Sequence, residues 1–191
     1  MTGRFMPTEH QHFLPESLPD DPLRIANDWI ADATRQETGP NPNAMVFSTC
    51  APDGMPSSRV LLCKELVADP GYLVFFTNYL SAKGQEIETN PKASVVFHWD
   101  QLHRQIRLQG LLLKSPANES DAYFESRPWQ RQLGAWASHQ SQPLGSMAEM
   151  QEKVEQTARE LDLDIAALEK QGLVPAAIPR PKHWGGYRLW I

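Results

Sequence analysis

The spacing of apolar and polar positions changes period several times along the chain, and each change marks an element. Residues 1–19 show no periodicity and mix charged residues, histidines and prolines, which predicts a flexible N-terminal arm. In DDPLRIANDWIADATRQE (20–37), Leu23, Ala26, Ile30 and Ala33 recur at helical spacing beside Trp29. Asp20 or Asp21 can cap this helix, Pro22 suits its first turn, and TGPNPN ends it. From Ala44 the pattern is that of strands. AMVFSTC (44–50), an Asp-Gly turn signal in APDGMP, the return strand SSRVLLCKEL (57–66), the turn Asp69-Pro70-Gly71 and YLVFFTN (72–78) follow in order. Residues 44–78 therefore predict an antiparallel three-stranded meander.

Ser81 can cap a short helix that stops at Asn90-Pro91. ASVVFHW (93–99) and RQIRLQGLLLK (104–114) read as paired strands, and helices follow from Asn118 and near WQRQLGAWAS (129–138). Ser146 and Glu149 have capping-box spacing, ahead of an amphipathic helix running to about Lys170. GLVPAAIPRPKHW is proline-rich and extended, and GGYRLWI is a last strand. The elements predict a mainly β protein with flanking helices: a small antiparallel barrel of five or six strands, with residues 20–191 as one domain.

Composition narrows the class. The chain has 191 residues, 41% hydrophobic and 21% charged, as in ordinary globular proteins. Its net charge of −5 argues against a broad nucleic-acid-binding surface but not against a local basic pocket. No apolar run approaches the roughly 20 residues of a membrane helix, and MTGRFMPTEHQHF lacks a signal-peptide core. Cys50 and Cys63 lie in apolar stretches and read as buried thiols of a cytoplasmic protein.

The candidate chemistry is cationic. Arg59, Lys64, Lys83, Arg104, Arg107, Arg127 and Arg131 fall in the strand and helix segments, with Ser58, Thr77, Ser81, Ser138, Ser141, Gln105 and Gln140 nearby. Two readings stand: solvated surface charges, or the mixture of cations, hydroxyls and amides that a phosphate dianion requires. On one continuous strand Arg59 and Lys64, five apart, would face opposite ways. The histidines lack zinc spacing, and no P-loop, G-x-G-x-x-G or G-x-S-x-G occurs. The many tryptophans, among them Trp184, serve either packing or the wall of a pocket for a flat ring. The residues alone thus point to a barrel-like protein with a possible site for a phosphorylated aromatic ligand.

Five ordered segments go further: PNAMVFSTCAPDGMPSSRVLLCK, VFFTNYLSAKGQEIETNP, HRQIRLQG, YFESRPWQRQLGAWASHQS and HWGGYRL. Together with the first helix they resemble the pyridoxamine 5′-phosphate oxidase family over roughly residues 20–190. The resemblance implies an FMN-binding split barrel (a six-stranded antiparallel Greek-key-like β-barrel) and a homodimer with FMN at the subunit interface. It implies oxidation of pyridoxine or pyridoxamine 5′-phosphate to pyridoxal 5′-phosphate, with O2 as acceptor and H2O2 as product. A phenazine-pathway-like oxidase, a flavin reductase and a catalytically weak flavin or pyridoxal phosphate binder are the alternatives. By resemblance, FMN contacts fall to Arg59, Val60, Leu61, Leu62, Cys63, Lys64, Phe76, Thr77, Lys83, Gln105, Gln140 and Ser141. The substrate falls to Lys64, Tyr123, Arg127 and Arg131. No side chain is assigned a catalytic role, because the flavin performs the redox step, and no metal is implied.

The departures carry information too. The family has Ser-Arg-Lys where this chain has Ser81-Ala82-Lys83, a loss expected to weaken cofactor binding by about 1–3 kcal/mol if nothing replaces it. A family serine of the substrate-phosphate site is Arg131 here, which is expected to take over phosphate charge or change the substrate. The family's N-terminal basic motif has no counterpart in TEHQHFLPESL. Strands that follow WGGYR in the family, with a flavin-contacting Trp and an Arg-Leu-His-Asp-Arg run, have none after Ile191. The expectation is a short relative with another substrate, a weakly catalytic FMN binder, or a sequence that omits the native tail.

Overall fold

The structure, a computed structural model, describes residues 14–171 and 178–191. Most of the expected arm (1–13) and part of the proline-rich stretch (172–177) lie outside the described residues. Helix α1 (Leu23–Arg35) starts where Asp21 Oδ1 accepts from Leu23 N at 2.9 Å, and it buries Leu23, Ala26 and Ala33. Arg104 Nη1 to Asp32 Oδ2, 2.8 Å, ties the helix to the sheet.

Strands β1 (Ala44–Cys50) and β2 (Pro56–Leu62) form the expected hairpin, in register from Ala44↔Leu62 to Cys50↔Pro56. The meander does not continue. Cys63 N still bonds Asn43 O at 3.0 Å, but Lys64 N bonds Val74 O at 2.8 Å. Between these two residues the chain changes partners. It becomes β3 (Glu65–Val67), paired with β4 (Tyr72–Asn78). The remaining strands are β5 (Lys92–Trp99), β6 (Arg104–Lys114) and β7 (Trp184–Trp190), in one antiparallel sheet of order β2-β1-β5-β6-β7-β4-β3. The meander's first and last strands thus lie near opposite edges. The chain adopts the expected mainly β, split-barrel type of fold, with seven strands in place of six because β3 splits from the return strand.

The sheet curls. Phe47 of β1 and Phe75 of β4 are far apart in strand order, yet their ring centroids are 4.7 Å apart. Phe47, Leu73, Phe75, Val95, Phe97 and Leu189 are fully enclosed between them. β6 joins the halves, pairing with β5 up to Leu111 and with β7 from there on. At the junction a Cβ on Gly110 would sit 1.7 Å from the Trp190 carbonyl oxygen, so only glycine lets the strands approach this closely.

The helices that follow β4 and β6 sit at one end of the sheet, where β7 begins. α2 (Ala82–Thr89) follows β4; α3 (Ala117–Glu125) and α4 (Trp129–Ala137) follow β6 and cover a second apolar cluster of Phe124, Ala135, Ile178 and Trp184. The helix expected to reach Lys170 is two, α5 (Met147–Glu160) and α6 (Ile165–Gln171). Asp162 adopts a left-handed φ of 54°, and Asp164 Oδ1 accepts from Ala167 N at 3.0 Å to start α6. Short polar side chains tolerate and stabilise such breaks. Among the described residues no helix is long and apolar enough to cross a membrane. Both cysteines are free, and burial pushes the Cys63 thiol up to about 12.

Candidate functional site

A cleft of about 490 Å³ opens between the end of β4, the α3–α4 turn and α5. Leu61, Phe76, Thr77, Asn78, Arg127, Gln130, Arg131, Gly134, Ala135, Ser138, Gln140, Met150 and Trp184 line it; none is acidic and two are arginines. Two of its lining rings, Phe76 and Trp184, are nearly parallel with centroids 5.6 Å apart, and Tyr123, outside the lining, stacks on Phe76 at 4.0 Å. A flat aromatic ligand matches such a wall.

Arg127 is placed by the turn that carries it. The buried Gln132 donates from Nε2 to Phe124 O, Glu125 O and Arg127 O, at 3.1, 3.1 and 2.8 Å, and so pins the α3–α4 corner. The guanidinium carbon then lies 4.6 Å from the Trp184 ring centroid. Arg127 Nη1 is buried without a hydrogen-bond partner among the described residues. Burial, reinforced by the Arg131 charge, holds its pKa below the usual arginine value, against a smaller opposing effect of Tyr123. A buried guanidinium N–H without an acceptor is costly, and an anion would satisfy it.

Next to the cleft lies a cluster built on the start of α2. Ser81, fully buried, caps the helix: its hydroxyl accepts from Gly84 N at 3.3 Å and donates to Asn78 O at 2.7 Å. A Cβ on Gly84 would lie 2.0 Å from the Tyr79 carbonyl oxygen, so the helix is seated hard against the β4 end. Buried Lys83 donates from Nζ to Ser81 Oγ at 3.0 Å and to Gln140 Oε1 at 3.1 Å, and among the described residues it has no salt-bridge partner. Burial and the neighbouring Arg59 bring its pKa down to about 8, with Glu86 acting the other way. Arg59 Nη2 pairs with Glu86 Oε2 at 3.1 Å. Replacing Ser81 by alanine removes the cap and a ligand of the lysine. It should cost about 1–2 kcal/mol in denaturant unfolding; a loss below about 0.5 kcal/mol would contradict the capping role.

Of the residues singled out in the sequence, the structure brings Leu61, Phe76, Thr77, Arg127, Arg131 and Gln140 onto one cleft. Lys83 joins it through Gln140, and Lys64 points its ammonium at the Tyr123 ring, 5.3 Å from the centroid. Arg59 lies in the adjoining cluster. Cys63 is packed into the core, and Ser141 is exposed at a left-handed φ of 69°. Val60 and Leu62 lie on the opposite face of β2, with Val60 65% exposed. Gln105 lines a separate groove beneath α1. Thr49, Glu86, Asn78 and Gln132 complete the site without any motif to announce them; their roles arise from contacts between segments distant in sequence.

Comparison with known proteins gives a consistent picture. A family model described as pyridoxamine 5′-phosphate oxidase matches residues 31–160. A Thermosynechococcus vestitus protein named pyridoxine/pyridoxamine 5′-phosphate oxidase is 44% identical over 179 residues, 94% of this chain and 77% of that one. One of the same name from Cupriavidus metallidurans is 45% identical over 174 residues, covering 90% and 74%. Among solved structures, PhzG from Burkholderia lata 383 in complex with tetrahydrophenazine-1-carboxylic acid superposes with a TM-score of 0.77 at 25% identity, covering 96% of this chain and 82% of that one. A Nostoc punctiforme FMN binding protein described as pyridoxamine 5′-phosphate oxidase-related has a TM-score of 0.63 at 18% identity, covering 88% and 79%, a likeness of fold.

Proposed function

The chain belongs to the pyridoxamine 5′-phosphate oxidase family, and from that premise we propose that it is an FMN-dependent oxidase. On this reading it converts pyridoxine or pyridoxamine 5′-phosphate to pyridoxal 5′-phosphate in the cytoplasm, with O2 as acceptor and H2O2 as product. The observation that carries the reading is the unpartnered Arg127 Nη1 in an acid-free cleft walled by parallel rings. FMN fits the neighbouring groups because, among the described residues, the buried Lys83 ammonium has only neutral hydrogen-bond partners, which an anion would complement.

The residues divide the work. Lys83, Thr77 and Gln140, with Arg59 behind them, would hold the flavin and its phosphate. Arg127 and Arg131, with Lys64 and Tyr123 at the far side of the ring wall, would hold the substrate phosphate and fix the orientation of its ring. The hydride-accepting and oxygen-reducing chemistry is the flavin's own.

The residues that face away from the cleft fit a homodimer. Val60 registers with Val46, Val46 with Val96, and Val96 with Arg107, two residues from Gln105, so all share one outward sheet face. Leu111 and Leu113 extend it, 52% and 60% exposed. A face of this kind, with exposed valines and leucines among polar side chains, suits a second copy, whose contact would bring Val60, Leu62 and Gln105 of one copy to the cofactor of the other. Val60→Glu should convert a dimer to a monomer in sedimentation equilibrium and weaken FMN retention with it; a dimer undisturbed by the change would place the interface elsewhere.

A second reading is favoured by one observation, the similarity to a PhzG structure holding a tricyclic carboxylate. Arg127 and Arg131 would then receive a carboxylate. Supplying purified, FMN-reconstituted protein with pyridoxine 5′-phosphate aerobically and following aldehyde and peroxide separates the two. Turnover supports the oxidase reading. A flavin-loaded protein without turnover moves the assignment to another substrate, and a protein that takes up no FMN removes both.

A further inference from the structure

Thr49 sits on the inward face of β1, 3% exposed, opposite Ser57 in the β1–β2 register. Its hydroxyl is caught between opposite charges. It accepts from Arg59 Nη1 at 2.5 Å and donates to Glu86 Oε2. Arg59 Nη2 bonds Ser57 Oγ at 2.6 Å and the same Glu86 oxygen at 3.1 Å. A hydroxyl has one donor and two acceptor sites, so it can serve a guanidinium and a carboxylate together. Valine has the same shape and can serve neither.

The arrangement fixes a side chain that is otherwise mobile. A free arginine loses much rotamer freedom when it is ordered. Here that ordering precedes any ligand, which is the physical content of preorganisation. The guanidinium carries five N–H donors, and the contacts with Thr49, Ser57 and Glu86 leave others for an incoming anion. Glu86 lies three positions along α2 from Lys83, so the carboxylate that anchors Arg59 belongs to the helix that carries the second cation. Removing Glu86 would alter both charge and orientation at once; Thr49 alters orientation alone.

We propose that Thr49 is a positioning residue of the cofactor site: with Glu86 as anchor, its hydroxyl holds the Arg59 guanidinium in place beside Lys83 for the phosphate end of FMN. The inference rests on the reading of Arg59 and Lys83 as FMN-phosphate ligands.

The test is a double-mutant cycle on FMN binding, read by quenching of flavin fluorescence in flavin-free protein. Thr49→Val should raise Kd about tenfold, the worth of a hydrogen bond to a charged group. Thr49→Ser, which keeps the hydroxyl, should return Kd to within about twofold of wild type. In an Arg59→Ala background Thr49→Val should have no further effect. If Thr49→Val does not give a cooperative thermal transition, Thr49→Ala replaces it under the same criteria. Wild-type affinity in the variant, failure of serine to rescue, or an equal loss with and without Arg59 would each overturn the role. If the wild-type chain itself takes up no FMN, the reading of the cleft falls and this role with it. If the wild type binds and the cycle shows no coupling, the role of Thr49 alone falls.

Discussion

Replacing Arg127 by alanine should raise KM for pyridoxine 5′-phosphate about a hundredfold while leaving FMN affinity within about twofold of wild type. The size follows from what is removed. The guanidinium is stacked over Trp184 at 4.6 Å, held by the Gln132-pinned turn, and has a buried N–H with no partner among the described residues. That N–H is already desolvated in the free protein, so an arriving phosphate gains a charge-assisted hydrogen bond of about 2–3 kcal/mol at reduced cost. Arg127→Lys should recover only part of the loss, because an ammonium cannot reproduce a planar fork stacked on an indole. Steady-state kinetics on flavin-loaded protein decides the matter. An unchanged KM, or a parallel collapse of flavin binding, would show that Arg127 does not grip the substrate. Arg131→Ser belongs to the same experiment: it should raise KM by a smaller factor, because this side chain is exposed and screened.

Lys83→Met should cost FMN affinity a hundredfold or more and at the same time make the flavin-free protein more stable. Both follow from one buried ammonium. Folding lowers its pKa from 10.5 to about 8, with burial the main cause and Arg59 the next. The folded state therefore binds the proton less tightly than the unfolded chain. Below pH 8 the full penalty of a buried charge, on the order of 2–3 kcal/mol, is present. Between pH 8 and 10.5 it fades, so wild-type stability should rise with pH across that window relative to Lys83→Met. FMN affinity should move the other way. It should be level below about pH 8 and fall above it as the ammonium is lost, and the variant should show no such step. Thermal melts of flavin-free protein and fluorescence titrations from pH 7 to 10 measure the two effects. A variant that melts lower than wild type throughout, or that keeps the wild-type pH step, would remove Lys83 from the anion site.

The site was legible in the sequence to the extent that its parts are local. Arg127 in the α3–α4 turn and Arg131 in the first turn of α4 are four apart in sequence, and both reach the cleft. Phe76 and Thr77 lie near the end of a strand, YLVFFTN, that the sequence placed with the right bounds. The strand 59–64 was less so, because the sequence read it as continuous. The structure breaks it at Cys63–Lys64, which sends Lys64 to Tyr123 while Arg59 stays with Glu86. Gln105 stands apart: its outward position on β6 places it away from the cleft that the other residues share.

Local sequence signals by themselves determined where most elements of this protein lie: the bounds of β1 and β6, the Ser81 and Ser146 caps and the stop of α2 before Pro91 all depend on neighbours a few residues away. Only the tertiary structure decided which strand pairs with which, that β2 and β4 part company, and that Thr49, Glu86 and Lys83 meet. An alternating strand carries the same pattern whichever neighbour it chooses. The choice is made by burial of Phe47 against Phe75 across the curled sheet, a contact between segments that no local window joins.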